Sequence, residues 1–217
     1  MESLQSIFDA LIQRRPELEV CLPDLKEAIH LLISGFEGRG KLLVCGNGGS
    51  ASDSEHIVGE LMKGFLLPRP LSATERDSLI QAAGPDEGQP LAASLQGALP
   101  AIALTSHGAL STAISNDNGP DLAFAQQVHG LGNSGDMLLG ISTSGNARNV
   151  VNAFYVAKAR GMKTISLTGS KGGLLAPLAD VALRAPATAV VEIQELHLPL
   201  YHTLCAAVEL HFFGGTP

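Results

Sequence analysis

Five short apolar runs constrain this chain most. They are "KLLVCG" (residues 41–46), "PAIALTS" (100–106), "DMLLGIS" (136–142), "KTISLTG" (163–169) and "DVALRAP" (180–186). Each is too short for a helix and is bounded by Gly, Ser, Pro or a charged residue, which is the signature of a buried strand. Helical patterns lie between them, at residues 50–64, about 110–115, 122–129, 146–160 and 173–178. Two further helical patterns (4–14 and 25–37) precede the first run, and a long one (190–212) follows the last. Strands that are apolar throughout need cover on both faces, and parallel neighbours need crossovers that helices can supply. The pattern therefore predicts an α/β fold in three layers, αβα, with a five-stranded parallel sheet, N-terminal helices and a long C-terminal helix. The 217 residues, 45% of them hydrophobic, are enough for one core, so residues 1–217 are expected to form a single domain.

One stretch breaks the rhythm. "LLPRPLSATERDSLIQAAGPDEGQPLAASLQGAL" (66–99) is rich in turn residues, holds two weak helical patches and is too long for an ordinary connection. It is either a surface excursion or a lid.

Charge narrows the partners. The formal net charge is -7 with only 14 Lys plus Arg and no basic run, which argues against nucleic acid and against an anionic membrane surface. No apolar run approaches the ~18 residues of a membrane span. The N-terminus "MESLQSIFDALIQRRPEL" has the pattern of an amphipathic helix, not of a signal peptide. Cys21, Cys45 and Cys205 have no metal-type spacing and sit in apolar contexts, as buried thiols of a reducing compartment do. A cytoplasmic protein is expected.

Chemistry concentrates after the first and third strand candidates. "CGNGGSASDSEHIVGEL" and "GISTSGNARNVV" share one layout: a strand, a turn of small polar residues, a helix. In an open parallel sheet, ligands bind beyond the carboxyl ends of the strands, at a switch point. Two such turns on neighbouring strands would face one pocket, and their hydroxyls and free helix N–H groups suit a phosphate. The alternative is that the Ser and Thr side chains only cap helices. His56 and Glu60 stand four residues apart and so share a helix face. On the last helix, Gln194 and His202 lie close to one face, with His197 and Tyr201 near in angle and Pro199 between them. Polar groups on an apolar helix are either satisfied in the core or gathered at a site. Together the two pairs could supply an acid, a base and a metal site.

These two turns, with "SLTGSKGG" and "IQELHLPLYH", resemble the SIS (sugar isomerase) domain family, and within it most closely the bacterial phosphoheptose isomerases. The resemblance spans nearly the whole chain apart from residues 66–99. It implies a flavodoxin-like strand order and a homotetramer with sites shared between subunits. It implies aldose–ketose isomerisation of a sugar phosphate through an enediol, with sedoheptulose 7-phosphate as first-choice substrate. Carried over by position, Glu60 and His202 would be the acid/base pair. Asn47, Gly48, Gly49 and Ser50 would line the sugar-phosphate site, Asn116 and Asp117 would contact sugar hydroxyls, and Ser142, Thr143 and Ser144 would hold the phosphate. Gln194 would also meet the substrate. Members of the family can hold zinc with a set matching His56, Glu60, Gln194 and His202, one ion per subunit; no nucleotide or organic cofactor is implied.

The chain departs from the family pattern at four places. Ala147 stands where a phosphate-binding Ser is usual, Val191 and Glu192 where Asp and Arg are usual, and Gly64 where a basic residue is usual, with Lys63 beside it. Some SIS domains are sugar-phosphate sensors or interaction scaffolds without catalysis, and that is the alternative reading. Retention of both Glu60 and His202, which a binding module needs neither of, favours the enzyme.

Overall fold

All five strands form. In the computed structural model, which describes residues 3–215, β1 (Leu42–Gly46), β2 (Ala101–Ala103), β3 (Met137–Ile141), β4 (Lys163–Gly169) and β5 (Val181–Ala185) make one parallel sheet in the order β2-β1-β3-β4-β5. β1 pairs with β2 on one side and with β3 on the other, so the winding reverses between β1 and β3. This is the flavodoxin-like order, and its switch point lies between the two strands that carry the polar turns.

Among the described residues, eight α-helices accompany the sheet: α1 (Leu4–Arg14), α2 (Leu22–Glu37), α3 (Gly49–Met62), α4 (Ala73–Ser94), α5 (Gly108–Asp117), α6 (Ala123–Leu131), α7 (Arg148–Ala159) and α8 (Val190–Phe213). Strand side chains alternate between faces. Leu42 and Val44 join a core built with α1, α2, α3 and α8, while Leu43 and Cys45 join a second core under α6 and α7. Each fully buried Leu in these cores contributes roughly 1.5–3 kcal/mol. The three layers follow directly from strands that are apolar on both faces.

The long C-terminal helix runs unbroken through Pro199. Leu200, Leu204, Ala207 and Val208 are almost wholly buried, because α1, α2, α3 and the β4–β5 side of the sheet pack around it. Its all-round apolarity is thus largely satisfied inside one chain.

The helix expected at residues 173–178 shrinks to a 3₁₀ turn, Ala176–Leu178. Gly172 and Gly173 take positive φ (70° and 56°), and the next two N–H groups are drawn elsewhere. Leu174 N–H donates to Asn146 Oδ1 and Leu175 N–H to the Gly145 carbonyl, both at 3.0 Å. The segment is stitched to the turn after β3 and cannot wind a helix of its own.

Residues 66–99 carry structure of their own. A bridge between Pro70 and Gln96, and a 2.7 Å bond from Gly97 N–H to the Arg69 carbonyl, bring the ends of the excursion together. Between them α4 consists of two helical arms that meet at Gly84 (φ 77°, ψ 167°), just before Pro85. The first arm starts with a capping box between Ser72 and Glu75. The second returns along it so closely that a Cβ on Gly88 would come within 2.5 Å of Ile80 Cα. The arms pack on each other at Gly88, Leu79 and Ile80 and, among the described residues, pack little against the other elements.

Candidate active site

The turns after β1 and β3 open side by side at the switch point. Strand register places Gly46 opposite Ile141, so both turns begin at the same level. Asn47 and Asn149 join them by a reciprocal pair of amide hydrogen bonds, both 2.9 Å. Gly48 caps α3 by position with φ 57°, and Ala147 does the same for α7; neither helix has a side-chain cap. Among the described residues, the Ser and Thr side chains of the turns therefore do not cap α3 or α7; in α7 the Val150 N–H is taken by Asn149 Oδ1 at 3.0 Å.

A hollow of about 290 Å³ sits beside the second turn. Thr143, Ser144 and Asn146 line it from β3's end, Ser170 and Lys171 from β4's end, and Thr188 from the approach to α8. Ser144 Oγ accepts the Asn146 N–H at 3.2 Å and keeps its own proton to offer. Hydroxyls, an amide and the Lys171 charge are groups whose chemistry suits an anion such as phosphate. Ser142 is buried and bonded through its N–H to the Leu167 carbonyl, so it shapes the turn from below.

A second cluster forms where α3 packs against α8. His56 Nε2 lies 3.0 Å from Glu60 Oε1 and 3.4 Å from His202 Nε2. Glu60 Oε2 is buried and has no hydrogen-bond partner among the described residues; the Lys63 ammonium is 3.7 Å away. Behind His56, the buried Tyr201 hydroxyl donates to Asp53 Oδ1 at 3.2 Å and lies 3.0 Å from His56 Nδ1. Burial pushes the Asp53 carboxyl above its ordinary value, against the pull of the Tyr201 hydrogen bond and of His56. Burial first, then the neighbouring His56, hold the His202 ring below the usual histidine value; Glu60 opposes this and the Arg14 charge adds to it.

The end of α3 that carries Glu60 is clamped from below. Arg69 Nη1 and Nη2 donate to the carbonyls of Leu61 (2.7 Å) and Glu60 (2.9 Å), while its Nε donates to Glu209 on α8 (2.7 Å). The Glu209 carboxylate also accepts the N–H groups of Phe65, Leu66 and Leu67.

The chain brings together His56, Glu60 and His202, and separately Asn47, Thr143 and Ser144 around the paired turns. Gln194 stands between the two regions. Its amide packs on Gly49, where any Cβ would come 2.5 Å from Nε2. That is seven residues, about two turns of α3, from His56. Ser50 is buried in the first turn of α3. Asn116 and Asp117 lie exposed at the end of α5, and among the described residues they bond only to each other. Sequence reasoning missed Asp53, Asn149, Arg69 and Glu209. Only Asp53 left a signal, being three residues before His56 on the same helix face.

The trio suits a metal ion. Ligand atoms of His56, Glu60 and His202 all fall within 4.8 Å of one another. Two nitrogens bound to one tetrahedral zinc stand roughly 3.3–3.4 Å apart, and the two Nε2 atoms are 3.4 Å apart. Glu60 Oε1, 3.0 Å from His56 Nε2, adds a carboxylate oxygen. Two imidazoles and a carboxylate are a donor set that zinc accepts.

The SIS domain family profile matches residues 89–169. A phosphoheptose isomerase of Helicobacter pylori (strain P12) is 41% identical over 215 residues, covering 95% of this chain and 98% of that protein. Among solved structures, a phosphoheptose isomerase from Francisella tularensis superposes with a TM-score of 0.74 at 34% identity, over 96% of this chain and 98% of that one. The phosphoheptose isomerase of Neisseria gonorrhoeae gives 0.72 at 33% identity, over 93% and 94%.

Proposed function

The chain belongs to the phosphoheptose isomerase family of SIS domains, and from that premise we propose that it interconverts sedoheptulose 7-phosphate and D-glycero-D-manno-heptose 7-phosphate. The chain is a phosphosugar isomerase. The observation that carries the mechanistic reading is the buried Oε2 of Glu60, without a hydrogen-bond partner among the described residues, in the cluster that also holds the His202 ring.

Aldose–ketose exchange moves one hydrogen between C1 and C2 and one between their oxygens. Glu60 takes the proton from the carbon next to the carbonyl, leaving an enediol, and returns it to the other carbon. His202 passes the hydroxyl proton between the two oxygens. The hollow at Thr143, Ser144 and Lys171 holds the phosphate and so fixes the reacting carbons relative to Glu60. Asn116 and Asp117 are assigned to sugar hydroxyls, and because they lie exposed on α5 this assignment fits a site completed in a homotetramer. His56, Glu60 and His202 would hold zinc, with Gln194 as the fourth group of the family set. When bound, zinc supplies Lewis-acid polarisation of a carbonyl oxygen.

An isomerisation assay over a panel of ketose phosphates in deuterated water, with and without zinc, tests the reading. Deuterium is expected at C1 or C2, with sedoheptulose 7-phosphate turned over fastest. A protein that binds these sugars yet never exchanges hydrogen, metal-loaded or not, would overturn it.

A further inference from the structure

We infer that Asp53 and Tyr201 are a positioning pair that locks the His56 ring in its Nδ1–H tautomer, aiming the Nε2 lone pair at Glu60 and His202 to receive a divalent cation. The inference rests on the reading of that trio as a cation site, but not on the sugar chemistry.

The argument is one of counting protons. The Tyr201 hydroxyl has a single hydrogen and two neighbours, Asp53 Oδ1 at 3.2 Å and His56 Nδ1 at 3.0 Å. A carboxylate only accepts, so the phenol proton goes to Asp53. The phenol oxygen then has lone pairs facing His56 Nδ1, and that contact is favourable only if Nδ1 carries the proton. Neutral imidazole has one N–H, so Nε2 is left bare. Yet Nε2 faces Glu60 Oε1 at 3.0 Å and His202 Nε2 at 3.4 Å. A bare nitrogen against a carboxylate oxygen is repulsive unless something positive stands between them. Asp53 and Tyr201 thus create the vacancy in the bonding pattern that a cation fills.

The pair is well placed to hold this state. Asp53 and His56 are three residues apart on α3, and Tyr201 adjoins His202 on α8, so one helix contact sets all four groups. Tyr201 is 2% exposed, so its hydroxyl is shielded from bulk water even though the His56 side chain is 42% exposed. The phenol ring meets the His56 ring edge-on with centroids 5.4 Å apart, fixing its plane as well as its tautomer. Partners that orient a metal-binding histidine in this way typically govern metal affinity by about 10–100-fold.

Long-range ¹H–¹⁵N correlation spectra of the metal-free, full-length protein at fixed pH 8 read the tautomer of His56 directly, its signals identified by their loss in His56→Gln. Wild type is expected to show Nδ1–H. Asp53→Asn frees the phenol proton to turn toward His56, so the ring should move to the Nε2–H form. Tyr201→Phe should abolish the preference. Calorimetric titration with zinc alone should give binding about 10–100-fold weaker in both variants. An Nε2–H or doubly protonated His56 in wild type would overturn the inference, as would variants that bind zinc as tightly as wild type. Should Tyr201→Phe fail to fold, Asp53→Asn, which keeps the shape of the side chain, decides the matter. Neither readout involves sugar turnover, so failure here and failure of the isomerase mechanism are distinguishable.

Discussion

Arg69 and Glu209 pair at 2.7 Å with side-chain exposures of 0% and 1%, joining the root of the α4 excursion to α8 beneath Glu60. Removing one partner leaves a buried charge without its counterion. Arg69→Met is therefore expected to lower stability by about 3–5 kcal/mol. The double variant Arg69→Met/Glu209→Gln should recover part of the loss, because the stranded charge is gone. Urea unfolding of the three proteins measures this; a loss below about 1 kcal/mol, as for an exposed pair, would mean that water reaches the site.

Glu60→Gln keeps the volume of the side chain and removes the base. The variant should fold, bind sugar phosphate as wild type does, and lose about 10²–10⁴-fold in C1/C2 hydrogen exchange. Exchange at the wild-type rate would take Glu60 out of the mechanism.

Ser144 lines the hollow proposed to hold the phosphate, with its hydroxyl proton uncommitted among the described residues. Ser144→Ala should weaken sugar-phosphate binding by roughly 1.5–3 kcal/mol through loss of a charge-assisted hydrogen bond. Ala147→Ser restores a hydroxyl at the start of α7 and should leave binding equal or tighter. Equal affinity in wild type and Ser144→Ala would assign the hydroxyl to the turn alone.

His197 is wholly buried on α8 against β4, and burial pushes its ring down to about 4. In the unfolded chain the ring titrates near ~6.5. As pH falls, the unfolded state takes up the proton first, so the stabilisation is complete above the unfolded value and is lost as pH drops toward 4. The loss amounts to about 3 kcal/mol. In His197→Leu the fall in urea stability between pH 7.5 and 4 should be smaller by that amount. Identical pH slopes would show that the ring is not desolvated in solution.

The ends of the α4 excursion meet at Pro70 and Gln96, and its arms pack mainly on each other. Replacing residues 71–95 by a short turn should leave the circular dichroism spectrum and unfolding midpoint close to wild type. Loss of folding would show that the arms are part of the core. A folded variant with reduced kcat/KM would identify the excursion as a lid.

Much of the fold was legible. The strands fell within the five apolar runs, and α1 and β4 match their expected bounds residue for residue. The crossover at residues 173–178 was misjudged because its apolar spacing suits a helix, whereas its N–H groups are claimed by Asn146 and Gly145, which a local pattern does not reveal. The helix pair in residues 66–99 was only half visible. Its helical patches are weak, and the closeness of Gly88 to Ile80 depends on a reversal at Gly84. The apolar surface of α8 is used largely within the chain, against α1, α2, α3 and the sheet.

Local sequence pattern sets where most strands and helices lie and which polar residues share a face, because the periods of two and 3.6 residues are properties of local backbone geometry. It also placed the two matched turns at strand ends. Only the tertiary structure decided that β1 and β3 would be neighbours, so that Asn47 meets Asn149. It alone brought His56 to His202 across 146 residues, and Arg69 to Glu209 across 140. Contacts at such separation depend on how whole layers pack. One helix laid beside another sets the distances among Asp53, Tyr201, His56, Glu60 and His202 at once, and no spacing within either helix encodes them.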